Sequence, residues 1–409
     1  MHTYSIVRIA GLHYPEALRA ACACCQGQRT YAEQQRALFQ QGFVYSDSFS
    51  KGMRVLGHVA QELVYDCAPM QKRWAEERGA RYRSTHWQTD ILLQQIAALR
   101  PDIIYFQDIH ALPFAIRREL KTRFPFLQLI VIYRGFPGVF PSLMEELATA
   151  DVLLLGSPTL RDSCLRAGLR PHLVYHSFDP GVLAQLGSVP LLHACTFVGS
   201  SGFGHGSSHV TRYRLLEALL RRTPLQAWVE ESMPRKGLRK CAEAVLSRIP
   251  GGRLAAWAGR APARWRKLIE EVIEGIPQRP LRRLFPERCH PPLFGIEMYR
   301  TLAASKVTLN KHAVPAEGFV DNIRLFQATG VGACLLTDGG ANLSDLFEAD
   351  REVVTYASLE ECLEKVRYLL THDAVRTDIA RRGQQRTLRE HTTLHRCQQI
   401  ETLLREAMP

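Results

Sequence analysis

Arg324 and Gln327 stand one helical turn apart, just after Asn322, in the segment Asn-Ile-Arg-Leu-Phe-Gln-Ala-Thr-Gly-Val-Gly-Ala-Cys-Leu-Leu-Thr-Asp that runs from 322 to 338. A guanidinium can meet a diphosphate with two parallel hydrogen bonds, and a side-chain amide can bond a hydroxyl. The stretch opening at Asn322 reads as a helix that Asn322 can cap, and the apolar run Ala333 to Thr337 as the strand that follows. Leu325 and Phe326 read as core, and Gly330 and Gly332 as the helix end. Lys311 and His312 follow a preceding strand that ends at Asn310 and bring further donors to the same strand ends.

A second cluster is the glycine-rich turn Thr196-Phe-Val-Gly-Ser-Ser-Gly-Phe-Gly-His-Gly206. Gly199 and Ser200 let backbone N–H groups approach an anion, and His209 and Arg212, at the start of the next helix, add side-chain donors. The same turn over 199–206 also fits a dinucleotide site, with Glu230 at the next strand's end as a ribose partner. A third cluster is Gln107-Asp108-Ile109-His110 at the carboxyl end of an earlier strand. Asp108 or His110 fits a general base toward a hydroxyl. Arg134, closing the neighbouring strand, fits an acidic group or a phosphate.

These residues need strand ends to stand on. Short apolar runs at Ser5–Ala10, 102–107, 128–133, 151–155 and 172–176 alternate with helical patterns near 30–40, 70–80, 87–99, 114–123, 141–149 and 159–167. The scheme repeats at 193–198, 225–230, 306–310, 333–337 and 352–356. Alternation of this kind predicts α/β architecture: two doubly wound, Rossmann-like parallel sheets, with ligands at the strands' carboxyl ends. The predicted domains cover 1–180 and 190–385, joined through Phe178–Pro190, and a closing helix over about 374–409, whose 386–409 part is free to pack back on the first domain.

The chain has 409 residues, enough for two cores, and a formal charge of +12. Much of that charge lies in 231–290, with 14 lysines and arginines against 6 glutamates and with Trp257 and Trp265 among them. This stretch reads either as a solvated helical excursion or as a peripheral contact with anionic lipid. No nucleic-acid motif accompanies the charge, so no nucleic-acid partner is expected. The 11 cysteines lack the paired spacings of a zinc site, and a long chain of this kind does not need a disulfide framework. Reduced thiols in a cytoplasmic protein are expected. Neither a signal peptide nor a spanning segment is legible.

The run Asn322 to Asp338, with Leu343-Ser-Asp-Leu-Phe347, Glu352-Val-Val-Thr-Tyr356, Glu360-Glu361 and Arg389-Glu-His-Thr392, resembles the carboxyl-terminal domain of bacterial group 1 GT-B glycosyltransferases, in particular the spore-maturation-type branch. Ser46-Asp47-Ser48, Leu56-Gly57-His58 and Gln71-Lys-Arg-Trp-Ala75 resemble the amino-terminal half of the same proteins. The resemblance implies sugar transfer from a nucleotide-sugar donor held by the second domain, to a cell-envelope glycan, lipid-linked or other acceptor on the cytoplasmic face. It implies no resident cofactor and no metal, the nucleotide-sugar being a co-substrate. Many relatives carry a Glu-x7-Glu pair here, whose second Glu binds the donor ribose. Gln327 occupies that second position and Phe319 the first. The departure leaves room for a non-catalytic sugar-nucleotide binder, beside the dinucleotide oxidoreductase that the 199–206 turn permits.

Overall fold

A computed structural model describes residues 3–43, 46–203, 209–231, 277, 279–313, 316 and 318–408. Most of the basic stretch 231–290, and Gly204 to Gly206 of the glycine-rich turn, lie outside them.

The strands are β1 (Ser5–Ala10), β2 (Val59–Val64), β3 (Ile103–Phe106), β4 (Leu129–Arg134), β5 (Val152–Leu155) and β6 (Pro171–Leu173) in the first half. The second half holds β7 (His193–Ser200), β8 (Leu225–Glu230), β9 (Cys289–His290), β10 (Ser305–Asn310), β11 (Cys334–Asp338) and β12 (Val354–Tyr356). They form two six-stranded sheets, ordered β2-β1-β3-β4-β5-β6 and β12-β11-β10-β7-β8-β9. Every pairing is parallel. Central strands such as Ile103-Ile-Tyr-Phe106 and Val152-Leu-Leu-Leu155 are buried along their whole length, as a parallel sheet covered by helices on both faces requires. In each sheet the order reverses once, between β1 and β3 and between β7 and β10, and a crevice opens at that point beyond the strands' carboxyl ends. This is the two-domain GT-B arrangement that the sequence predicts.

Two strands escaped the sequence pattern. β2 is interrupted by Gln61 and Glu62, which do not look like strand core. Glu62 is nevertheless buried: Arg8 on β1 donates to it at 2.6 Å and the Ser50 backbone N–H at 2.9 Å. A buried carboxylate is tolerable only with such partners. β9 has two residues, too short to show a period. The helices Pro15–Cys24 and Ser48–Val55 were also not anticipated.

The closing helix is broken. Asp373–Glu390 packs in the second domain, and Thr393–Ala407 crosses to the first. The break falls where Thr392 caps the new helix with His395, while His391 turns inward and its Nε2 bonds the Leu346 carbonyl at 2.9 Å. Cys397, Ile400 and Leu404 then enter the same core as Phe49, Met53, Tyr105 and Val131. This return crossing is fastened to the outgoing one. The Phe178 N–H donates to the His391 carbonyl at 2.9 Å, and the Thr393 N–H donates to the Phe178 carbonyl at 2.8 Å. Arg396 adds bonds to the carbonyls of Tyr175 and His176. The Phe178 ring is fully buried against Gly330, where any Cβ would stand 2.4 Å from the ring. Gly330 is thus a packing position as well as the last residue of its helix.

Two outcomes follow. Gly330→Ala should lose roughly 1–3 kcal/mol by overpacking against Phe178. Gly339→Ala, with nothing within 4 Å of the added carbon, should stay within about 0.5 kcal/mol of the parent, both read by denaturant unfolding. His176 and His391 flank the crossing, and burial brings both down to about 4. The unfolded chain binds those protons near pH 6.5, so their contribution is complete above that pH and is lost as pH falls toward 4. The melting temperature should therefore drop between pH 7 and 5, with a shallower slope in His391→Gln.

Candidate active site

The second-domain crevice is built where β7 and β10 part. Arg212 spans the gap: it donates to the Lys311 carbonyl from Nη2 at 2.8 Å and from Nε at 3.1 Å, and to the Ser200 carbonyl from Nη1 at 3.4 Å. Burial lowers its pKa. Arg212 therefore ties two strand ends together, a task the sequence did not suggest. Gly199 and Ser200 are the last residues of β7, opposite Val229 and Glu230 of β8. The Ser200 hydroxyl accepts the Gly202 N–H at 3.2 Å. Gly202 itself has φ +88°, and a Cβ there would lie 2.5 Å from the His209 carbonyl, so the turn needs glycine at this point. His209 occupies the N-cap position of the helix Val210–Arg222, whose first turn faces the crevice rim.

On the other side of β10, Asp338 closes β11 and gathers Lys311 Nζ at 2.7 Å, His312 Nδ1 at 2.8 Å and the His312 N–H at 3.0 Å. Burial opposes the charge of Asp338, but His312 and Lys311 outweigh it and hold the carboxyl at about 2. Lys311 is thus neutralised at the rim. These residues, with Thr211, Phe319, Thr355, Tyr356 and Glu361, line a cavity of about 510 Å³.

Asn322 does not cap the helix. The helix begins at Arg324, with Ile323 at the N-cap position and no side-chain cap. The Asn322 amide instead donates to Asn310 Oδ1 at 2.8 Å, because Asn310 at the end of β10 offers a buried acceptor at the right distance. Arg324 Nη1 donates to Gln327 Oε1 at 2.8 Å, and Gln327 Nε2 donates to the Tyr299 hydroxyl at 3.2 Å. No carboxylate pairs with Arg324 among the described residues, and burial brings its pKa down to about 10. Gln327 is only 8% exposed, so its amide is spent on Arg324 and Tyr299 rather than offered to the crevice. Gln327 was expected to contact a donor; in the structure its contacts make it the brace of Arg324.

The facing edge of the first domain carries Asp108, His110 and Arg134 on the adjacent strand ends of β3 and β4. The Asp108 carboxylate is buried and accepts the Tyr65 hydroxyl at 2.6 Å and the His110 backbone N–H at 2.9 Å. His110 itself is exposed beside a cavity of about 330 Å³ that Phe114 and Glu146 help line. The imidazole that meets Asp108 is a different one: His13 Nδ1 lies 3.5 Å from Asp108 Oδ2, with its side chain 49% exposed. His13 sits in the loop after β1, at φ +59°, and Asp66 holds this loop through the Leu12 N–H at 2.7 Å. The sequence reading passed over it. The usable signal was a histidine just beyond the first strand, at the place where the strand order reverses.

The two edges meet across the crevice. Tyr14, next to His13, stacks on Phe294 at 5.9 Å and lies within electrostatic reach of Arg212, Arg324 and Glu230. Thr159 donates to the Ala316 carbonyl at 2.9 Å on the opposite flank.

Residues 235–402 match the family described as glycosyl transferase-like. The match lies in the second half of the sequence and covers less than half of the chain. The match does not single out the spore-maturation branch. No curated protein matches the sequence. Among solved structures this chain is similar to Anabaena HepE in complex with UDP-glucose, at 12% identity and a TM-score of 0.57, over 98% of this chain and 100% of that one. It is similar to sucrose-phosphate synthase from Thermosynechococcus elongatus, at 12% identity and a TM-score of 0.54, over 98% of each chain. A glycosyltransferase from Rickettsia africae gives 9% identity and a TM-score of 0.53, over 100% of this chain and 99% of that one. At such identities the likeness establishes the shared GT-B fold.

The brace around Arg324 can be checked with nucleoside diphosphates. Arg324→Ala should weaken nucleoside diphosphate binding about tenfold or more, the worth of a charge-assisted hydrogen bond, and leave binding of the bare nucleoside unchanged. Gln327→Glu should act in the same direction, because the new carboxylate would neutralise Arg324. Calorimetry that finds nucleoside diphosphate affinity unmoved in both folded variants would exclude Arg324 as an anion-binding residue.

Proposed function

We propose that this glycosyltransferase holds a nucleoside-diphosphate sugar in the second-domain crevice and passes the sugar to a hydroxyl presented by the first domain, without a metal ion. The observation that carries the reading is Arg324, a half-buried cation kept in place by an amide and, among the described residues, without a carboxylate of its own. Negative charge grows on the diphosphate as the sugar–oxygen bond breaks, and fixed donors aimed at it lower the barrier. Arg324 would supply one such charge. Lys311 would supply a second by shifting from Asp338, and the first turn of Val210–Arg222 would add backbone N–H groups. HepE, with its bound UDP-glucose, supports the choice of a uridine nucleotide as the first donor to test.

The acceptor hydroxyl must lose a proton. The geometry favours His13 over His110 or Asp108 for that task. Asp108 has its oxygens committed to Tyr65 and the His110 N–H, and it stands 3.5 Å from His13 Nδ1, where its charge can orient the half-exposed imidazole. Removing such a base costs about 10²-fold or more in rate. The acceptor in this reading is a glycan or lipid-linked saccharide of the cell envelope, and the basic stretch 231–290 offers a peripheral contact with anionic lipid. No described helix is long and apolar enough to cross a membrane, and the described cysteines are all free thiols, which suits the reducing cytoplasm. The glycosyl transferase-like match over 235–402 supports this reading over a dinucleotide site at the 199–206 turn.

A thermal-shift series with UDP, GDP, ADP and their glucose conjugates tests the donor, since a ligand that binds only the folded state raises the melting temperature. One nucleotide should stand out, and its sugar conjugate should release free nucleoside diphosphate on incubation. His13→Gln should lower kcat about 10²-fold or more while leaving nucleotide binding intact. Tight nucleotide binding with no turnover of any conjugate would instead identify a non-catalytic relative.

A further inference from the structure

The first-domain rim carries a cation that the transfer chemistry does not use. Arg134 ends β4, and its own loop wraps back around it. Its guanidinium lies 6.0 Å from the centre of the Phe136 ring and 5.4 Å from that of Phe140, and Nη2 donates to the Gly138 carbonyl at 2.6 Å. Nε is buried without a partner. No carboxylate forms an ion pair with it among the described residues: Asp108 is engaged with Tyr65 and His13, and Glu146 with Arg117 at 2.9 Å. A partly desolvated cation is costly unless something answers its charge, and two aromatic faces answer it only in part.

The same loop turns apolar surface outward. Phe136 is 50% exposed and Val139 60%, and the Phe140 ring of the same loop lies 6.2 Å from the ring of His110, which lines a cavity with Phe114. Exposed rings at the mouth of a crevice mark a binding surface, and the apolar face of a sugar ring suits them. We infer that the acceptor is an anionic saccharide, whose ring packs on Phe136 and Phe140 and whose carboxylate or phosphate pairs with Arg134. The inference rests on the sugar-transfer reading and specifies its acceptor. It also explains the choice of arginine: the planar guanidinium stacks between rings and still offers a fork to a carboxylate or phosphate, which a lysine ammonium does not.

Methyl glucuronide, glucose 6-phosphate and methyl glucoside serve as probes, titrated by ligand-observed NMR against the full chain, with UDP affinity measured in parallel. One or both anionic probes should bind at least about tenfold more tightly than the neutral one, and the pair separates carboxylate from phosphate. Arg134→Gln should erase that preference and Arg134→Lys should keep part of it. Phe136→Ala should weaken all three probes alike. UDP affinity should be unchanged in each variant. Equal binding of charged and neutral probes, a preference that survives Arg134→Gln, or no probe binding by a protein that still binds UDP would each overturn the inference. Anionic probes that bind through Arg134 while UDP does not bind would leave the rim assignment standing and sink the donor reading.

Discussion

The backbone clasp between Phe178 and the pair His391 and Thr393 is the contact on which the active site depends. Each domain supplies half of the chemistry, from strand ends that face one another, so no functional distance is fixed until the domains are. Two chain crossings connect them, and the clasp makes the two crossings one short piece of parallel bridge. Its position is then set by packing: Phe178 on Gly330, Arg396 over the Phe326 ring at 5.9 Å, His391 against Phe347 at 5.3 Å. Gly330 ends the helix that begins with Arg324. The contact that holds the domains together is therefore less than two helical turns from the proposed donor cation.

The crevice charges are managed in four different ways. Arg212 spends its donors on backbone carbonyls and becomes structural. Lys311 is balanced by Asp338. Arg324 is held by an amide, and Arg134 by two rings. Among the described residues neither Arg324 nor Arg134 has an ion-pair partner, and they stand one on each domain. A protein pays for such groups in desolvation, and the cost is recovered when an anion arrives. In the proposed reading, one such cation per domain is the electrostatic counterpart of a donor site facing an acceptor site.

Much of the fold was legible in the sequence because parallel strands buried on both faces leave continuous apolar runs, as in β3, β4, β5 and β11. β2 was hidden because Glu62 is paid for by Arg8, a partner distant in sequence that no local pattern reveals. The closing helix was read as one piece because its break rests on His391 bonding Leu346, again a tertiary contact. Within the site, the turn-spaced Arg324 and Gln327 could be picked out, but not their relation, since Tyr299 arrives on another helix. Asn322 looked like a cap only while Asn310 was out of view. His13 could be found in the sequence, but its meaning required Asp108, brought beside it by the reversal of strand order between β1 and β3.

The return of Thr393–Ala407 to the first domain has a bearing on how the protein is made. Phe49, Met53 and Tyr105 are synthesised early, yet the core they belong to also contains Cys397, Ile400 and Leu404. During synthesis the first domain therefore waits, with part of its apolar interior uncovered, until the second domain has been made and the last helix has left the ribosome. Domains that fold in order of synthesis can finish one at a time. This one finishes its two halves together, so a chain interrupted late in synthesis would expose a hydrophobic face in its oldest domain rather than its newest.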